Sequence, residues 1–337
     1  MIAATAQVDS EKGRVARLAL AAMDRLMPLW DRLMILEPER WIIAITLVAA
    51  GQAAVHSSRQ EELFWHLSYN FGTLGHYLAV CLLMAAGALK RQLSRRDKPL
   101  DTGPGNRLSE LKSDGKMLAM IAWGLLGLGL IGIALSGPVA VLAGAALFLI
   151  SGGIEGITAT RNSPVKPLRM LEYSGMALLL LLLGWELADG RYGAAWGMLA
   201  PYMAAATAAI ILLVMEPFEP ASEAAVVNAR STYGWVLLMV ATALIVLAIF
   251  TGYANRDPVI STAAMISLPF YIIAALYRRP GDLSRGIRYS MMILIIFTGA
   301  RYPHIYLPIL ALFYVARFYF ARRYDLAFPA FAPESAD

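Results

Sequence analysis

Apolar residues fall in runs of about twenty, the length that crosses a hydrocarbon layer about 30 Å thick at 1.5 Å rise per residue. Such runs begin near Trp41, Gly72, Met117, Pro138, Met170, Gly193, Tyr233 and Val259, each bounded by charged or Gly/Pro-rich residues. They predict eight membrane-spanning helices. The stretch from Arg288 to Phe320 is apolar too, but as one helix it would run about 50 Å, too long for an upright crossing. Arg301-Tyr302-Pro303-His304 interrupts it, and Pro303 has no backbone donor. It reads as two short helices, or as one long, broken and tilted helix. The expected fold class is all-α, a polytopic integral membrane helix bundle with nine or ten transmembrane helices.

A different pattern precedes Trp41. Val15, Leu18, Ala19, Ala22, Met23, Leu26, Leu29, Trp30 and Leu33 recur at three- and four-residue spacing, with Lys12, Arg14, Arg17, Arg25 and Arg32 mostly between them. A basic amphipathic helix in the headgroup layer fits this stripe; packing against the protein's own cytoplasmic loops is the alternative. The expected division is 1–40 as a cytoplasmic interfacial helix, 41–321 as the transmembrane domain and 322–337 as a polar C-terminal tail.

Composition narrows the class. Of the 337 residues 58% are hydrophobic and 16% charged, against about 45–50% and about a quarter in soluble domains, and mean hydropathy is +0.58. Disordered, collagen-like and disulfide-rich classes are excluded. The single Cys81 permits no internal disulfide and no cysteine metal cluster, and reads as a small core hydrophobe. Charge then sets orientation. With the N-terminus cytoplasmic, 1–40, 90–116, 156–170, 215–231 and 277–289 lie inside and carry twenty-two Lys and Arg, against Arg59, Arg191 and Arg256 outside. Arg317, Arg322 and Arg323 also prefer the inside, which favours ten crossings. Loop placement thus accounts for the net charge of +5 with no nucleic-acid partner. The expected location is the cytoplasmic membrane of a bacterium.

Two inside loops carry candidate chemistry. Lys90 to Lys116 sets eight cations, including Lys90, Arg91, Arg95 and Arg96, among Asp97, Asp101, Glu110 and Asp114. It suits an anionic headgroup or diphosphate, held by the cations and by a carboxylate-bound metal, or else a loop that sets topology and touches acidic lipids. The connection after span six is acidic: Glu216, Glu219 and Glu223 precede any cation. Oxygen ligands on two facing loops could hold Mg²⁺ against a phosphate, and an exposed polar turn is the plain alternative. Glu155, Glu172 and Glu186 lie near span ends, where snorkelling to the interface accounts for them. His56 and His76 approach the outer face, a place for interfacial hydrogen bonds. Gly124, Gly127, Gly129 and Gly132 read as close helix packing. No P-loop, Gly-rich dinucleotide turn or nucleophile elbow occurs.

The layout resembles the intramembrane prenyltransferases of the UbiA superfamily. The likeness lies in the amphipathic lead-in, Glu37-Pro38-Glu39-Arg40-Trp41 entering span one, long cytoplasmic loops after spans two and six, and the proline- and lysine-bearing stretch from Thr160 to Gly175 with Lys166. The resemblance implies aspartate-rich loops that bind Mg²⁺ and an isoprenoid diphosphate, an apolar tunnel for the tail, and alkylation of an acceptor. This chain departs from that pattern: Lys90, Arg91, Arg95 and Arg96, with Asp97 and Asp101, occupy the place of the first aspartate cluster, and Glu216, Glu219 and Glu223 that of the second. The resemblance therefore implies a divergent prenyltransferase-like protein binding a polyisoprenoid or similar lipid. Lys90, Arg91, Arg95, Arg96 and Lys166 become headgroup candidates, and Asp97, Asp101, Glu216, Glu219 and Glu223 metal candidates. A non-catalytic membrane subunit or lipid-organising scaffold with membrane-protein partners is the alternative. A transporter ranks third, since no internal repeat is evident.

Overall fold

The structure is a computed structural model that describes Met27, residues 29–59, 71–95, 115–158, 166–215 and 232–324, and the pairs 326–327 and 332–333. Among these residues ten long helices alternate with short connections. They are α1 (Glu39–Ser58), α2 (Phe71–Arg95), α3 (Gly115–Ala134), α4 (Pro138–Thr158), α5 (Lys166–Leu187), α6 (Tyr192–Met215), α7 (Thr232–Ala254), α8 (Pro258–Tyr277), α9 (Pro280–Arg301) and α10 (Tyr306–Tyr324). A 3₁₀ turn, Pro303–Ile305, separates the last two, and a minimal antiparallel pairing of β1 (Leu326–Ala327) with β2 (Ala332–Pro333) follows. Eight of the helices are long and apolar enough to cross a membrane. Of the other two, α4 has a shorter apolar run, Pro138–Gly152, and α9 carries Asp282, Arg285, Arg288 and Arg301. The molecule is a polytopic all-α membrane protein.

Helix α1 is the centre, packed by α2, α5, α6, α9 and α10. Lipid tails are as apolar as leucine, so helices in a bilayer associate through close van der Waals fit rather than hydrophobic exclusion. The α1–α5 crossing shows it. A methyl on Gly51 would overlap the Leu181 carbonyl oxygen, and one on Gly184 would overlap that of Val48. The α2–α4 crossing repeats the device, with Gly87 against Ser151 and Gly152 against the Lys90 stem. Helices α3 and α7 lie at the periphery and present Met120, Trp123, Leu128, Ile131, Leu247 and Phe250 outward, as lipid contact requires.

The break predicted at Arg301–His304 is present, and two helices result. The first starts at Pro280 rather than Arg288, because Pro280 suits the first helical position, where no donor is needed. The described end of the lead-in packs on α10: Met34 is buried with Ala316, Tyr319 and Phe320, and Asp31 bonds Tyr319 Oη at 3.0 Å. The start of α1 and the end of α10 therefore share one end of the bundle, which requires an even number of crossings. The stripe before Met27 lies outside the described residues.

Two expectations need correction. Glu172 is 1% exposed and Glu186 8%, so neither snorkels; both are enclosed by neighbouring helices. The side chain of Glu155 lies outside the described residues. Gly129 and Gly132 do admit a close approach, to Leu83 and Ala79, but nothing lies against Gly124 or Gly127. Cys81 is a buried core residue as expected.

Candidate functional site at the basic end of the bundle

Alternation of the helices puts the ends of α2, α4, α6 and α8 at one end of the bundle, with the start of α1. A buried polar network occupies that end. Glu37 takes a left-handed backbone, φ 51°, just before α1. Its carboxylate accepts from Arg40 Nε at 2.6 Å, Gln92 Nε2 at 2.8 Å and the Arg91 guanidinium, whose Nη1 also donates to the Ser151 carbonyl at 2.7 Å. Arg91 is 1% exposed and Glu37 5%. Taking two such charges out of water costs several kcal/mol each, on the order of what good geometry and further hydrogen bonds return. Here the bidentate pair, Gln92 and the carbonyl supply both. The network ties the chain ahead of α1 to α2 and α4.

The other predicted residues are placed around it. Lys90 sits one residue before Arg91, its stem over Gly152 and its ammonium 4.9 Å above the Phe148 ring, a cation–π contact. Arg95 is the last residue of α2 and Lys166 the first of α5, both at this end; their side chains lie outside the described residues. Arg96, Asp97, Asp101, Glu216, Glu219 and Glu223 lie wholly outside them. Helix α6 ends at Met215, directly before Glu216, so the basic and acidic connections leave from the same end. Among the described residues no three His, Cys, Asp or Glu gather to hold a metal.

A second polar cluster, at the opposite end, is one that sequence reasoning missed. The 3₁₀ turn brings Tyr302 and His304 into the bundle. Ring centroids run His56–Tyr302 at 6.1 Å, Tyr302–His304 at 5.9 Å and His304–Tyr77 at 5.9 Å. Tyr77 Oη donates to Gln52 Oε1 at 2.7 Å, and His76 Nε2 lies 3.5 Å from Ser136 Oγ. Tyr202 Oη donates to Asp257 Oδ2 at 2.9 Å, while Asp257 Oδ1 caps α8 through the Val259 and Ile260 amides. Burial pushes the Asp257 carboxyl up from its ordinary value, against the hydrogen bonds from Tyr202, the two amides and Ser57. Asp257-Pro258 before an apolar run was the available signal, since it reads as an N-cap with proline at the first helical position.

No protein-family model matches this sequence, and no curated protein matches it. Solved structures do. A digeranylgeranylglyceryl phosphate synthase aligns with a TM-score of 0.55 at 15% identity, over 84% of this chain and 98% of that one. A UbiA homologue from Archaeoglobus fulgidus, solved with GPP and Mg²⁺, aligns with a TM-score of 0.55 at 15% identity, over 80% of this chain and 99% of that one. This chain is an integral membrane protein with the fold of the UbiA-type prenyltransferases.

Proposed function

We propose that this protein binds a polyisoprenoid diphosphate, or a closely similar lipid, at the basic end of the bundle and transfers the prenyl group from it. The observation that carries the reading is the match of nearly the whole length of a homologue solved with GPP and Mg²⁺, joined to a basic and an acidic connection leaving the same end of this bundle. In this reading Lys90, Arg95, Arg96 and Lys166 neutralise the diphosphate, and Arg91, held by Glu37, fixes the end of α2 beneath them. Preorganised cations of this kind stabilise negative charge as it develops on a leaving diphosphate. Asp97, Asp101, Glu216, Glu219 and Glu223 are the residues that would hold Mg²⁺, which would supply positive charge beside the diphosphate. The proposed setting is the cytoplasmic membrane of a bacterium. The test is the double variant Glu216→Gln with Glu219→Gln: it should weaken Mg²⁺-dependent binding of a labelled prenyl diphosphate. Unchanged affinity would assign the acidic connection a structural role.

One observation favours a second reading, a non-catalytic membrane subunit or lipid-organising scaffold. At the end of α2 the described side chains are engaged internally: Lys90 by Phe148, and Arg91 and Gln92 by Glu37. Purification of a stable complex with a partner, and no prenyl diphosphate binding, would select this reading.

A further inference from the structure

Helix α6 is shared by two hydrophobic cores. Ahead of Pro201, its buried residues Ala195, Met198 and Leu199 pack with α1, α2, α4 and α5 in the first. From Ala204 on, Ala208, Ile211, Leu212 and Met215 pack with α7, α8 and α9 in the second, and Ile210 is the exception. Among the described residues only the half-buried Met170 and Ala205 border both cores. The second group is fastened to the first at the end opposite the candidate site. There Val259 and Ile260 of α8 belong to the first core and Leu294 and Phe297 of α9 lie against it, whereas Leu283 and Ile287, nearer the candidate site, pack in the second. The change of core falls at a break in the backbone ladder. Pro201 lies inside α6 and has no amide, so the Gly197 carbonyl loses its donor within the helix. Asn255 Nδ2 supplies one at 2.7 Å. Two residues on, Asp257 Oδ2 accepts from Tyr202 Oη at 2.9 Å while its Oδ1 caps α8. The α7–α8 turn, with Arg256 in the left-handed region at φ 54°, thus grips α6 on both sides of the proline. Pro269 also interrupts a helix, but Ala264 and Tyr271 on either side of it pack in the same core.

We propose that Pro201 is the joint of a hinge, with the Asn255–Asp257 clamp as its pivot, about which α7, α8, α9 and the second half of α6 swing against the rest of the bundle. Hinges are a few residues that absorb backbone change between packed bodies, and a proline interrupts the ladder that would otherwise keep α6 a stiff rod. Met215 stands about 21 Å of helix beyond Pro201 at 1.5 Å rise per residue, so a swing of about 10° moves it by about 4 Å. Met215 belongs to the second core and α2, which carries Lys90, to the first, so the swing changes the distance between the two ends that frame the candidate site. In function the swing closes that end on a bound diphosphate. The closure rests on the prenyl diphosphate reading; the hinge does not.

The test is pulsed electron spin resonance on the full chain in detergent, with two pairs of nitroxide labels. One pair, Ser94→Cys with Arg279→Cys, spans the basic end; the other, Leu135→Cys with Tyr253→Cys, spans the opposite end. All four side chains are exposed, and the buried Cys81 stays unlabelled. The distance distribution of the first pair should be about twice as wide as that of the second, because displacement grows with distance from a hinge. Pro201→Ala returns an amide donor to the Gly197 carbonyl and should narrow the first distribution to the width of the second. Geranyl diphosphate with Mg²⁺ should shift the first pair toward shorter distances by about 4 Å. Equal widths in the native protein overturn the hinge, and an undiminished width in Pro201→Ala overturns the proline as its joint. Ligand that binds the same sample without a shift overturns the closure. Absence of binding overturns the prenyl diphosphate reading and the closure with it, while the two widths still decide the hinge.

Discussion

Arg91→Ala would leave the Glu37 carboxylate buried with Arg40 and Gln92 but without the guanidinium that neutralises it deepest in the bundle. Removing one member of a buried pair costs about 3–5 kcal/mol, so thermal unfolding in detergent should show a large loss. A change within error would mean that the network is not the anchor of α2. Asp257 makes a contrasting case. Asp257→Ala removes an N-cap and strands the buried Tyr202 hydroxyl, a loss of about 2 kcal/mol, whereas Asp257→Asn can keep both contacts. Because burial raises the folded carboxyl above its ordinary 3.8, the neutral form is the one the fold favours. That stabilisation is complete below about 3.8 and is lost as pH rises through the raised value. Melting temperature against pH should therefore be flatter in Asp257→Asn than in the native protein; identical profiles would contradict the assignment. Neither network could be read along the chain. Glu37 and Arg91 are fifty-four residues apart, and nothing in the Glu37-Pro38-Glu39-Arg40-Trp41 stretch marks which of its charges will be buried. Burial, which separates Glu172 from a snorkelling carboxylate, depends on which neighbours pack around it.

Elements were far more legible than residues. A run of twenty apolar residues has one stable form in hydrocarbon, a helix, because every amide must be satisfied within the segment. Hence the starts of α1 to α8 fell within a few residues of the expected positions. The exception is α9, where Asp282, Arg285 and Arg288 hide an amphipathic first half that apolar counting skips. Pairing between helices was not legible, since Gly51 and Gly184 are unremarkable in sequence and meet only in the bundle. Their crossing yields a direct prediction: Gly51→Ala or Gly184→Ala forces α1 and α5 apart and should cost about 1–3 kcal/mol, while Gly124→Ala on the open face should be neutral. Equal melting temperatures for all three would show that the α1–α5 contact is not a close one.

For the whole molecule, packing of Met34 on Phe320 puts the start of α1 and the end of α10 at one end of the bundle, and the charge bias of the sequence predicts that this end faces the cytoplasm. Cysteines placed at Arg256 and at Arg279 should react with an impermeant thiol reagent from opposite faces of the membrane. Cys81, being buried, should stay silent. Labelling of both positions from one face would break the topology. The likeness to UbiA-type folds was legible from loop order and helix count, and the structural match bears it out at the level of fold. Chemistry was less so, because the carboxylates that would define it sit in connections whose sequence pattern departs from the aspartate clusters. The most direct test is equilibrium binding of a labelled prenyl diphosphate to the purified full chain, with and without Mg²⁺. Saturable binding that strengthens with Mg²⁺ is the predicted result, and no binding at high micromolar ligand under either condition would contradict the proposal.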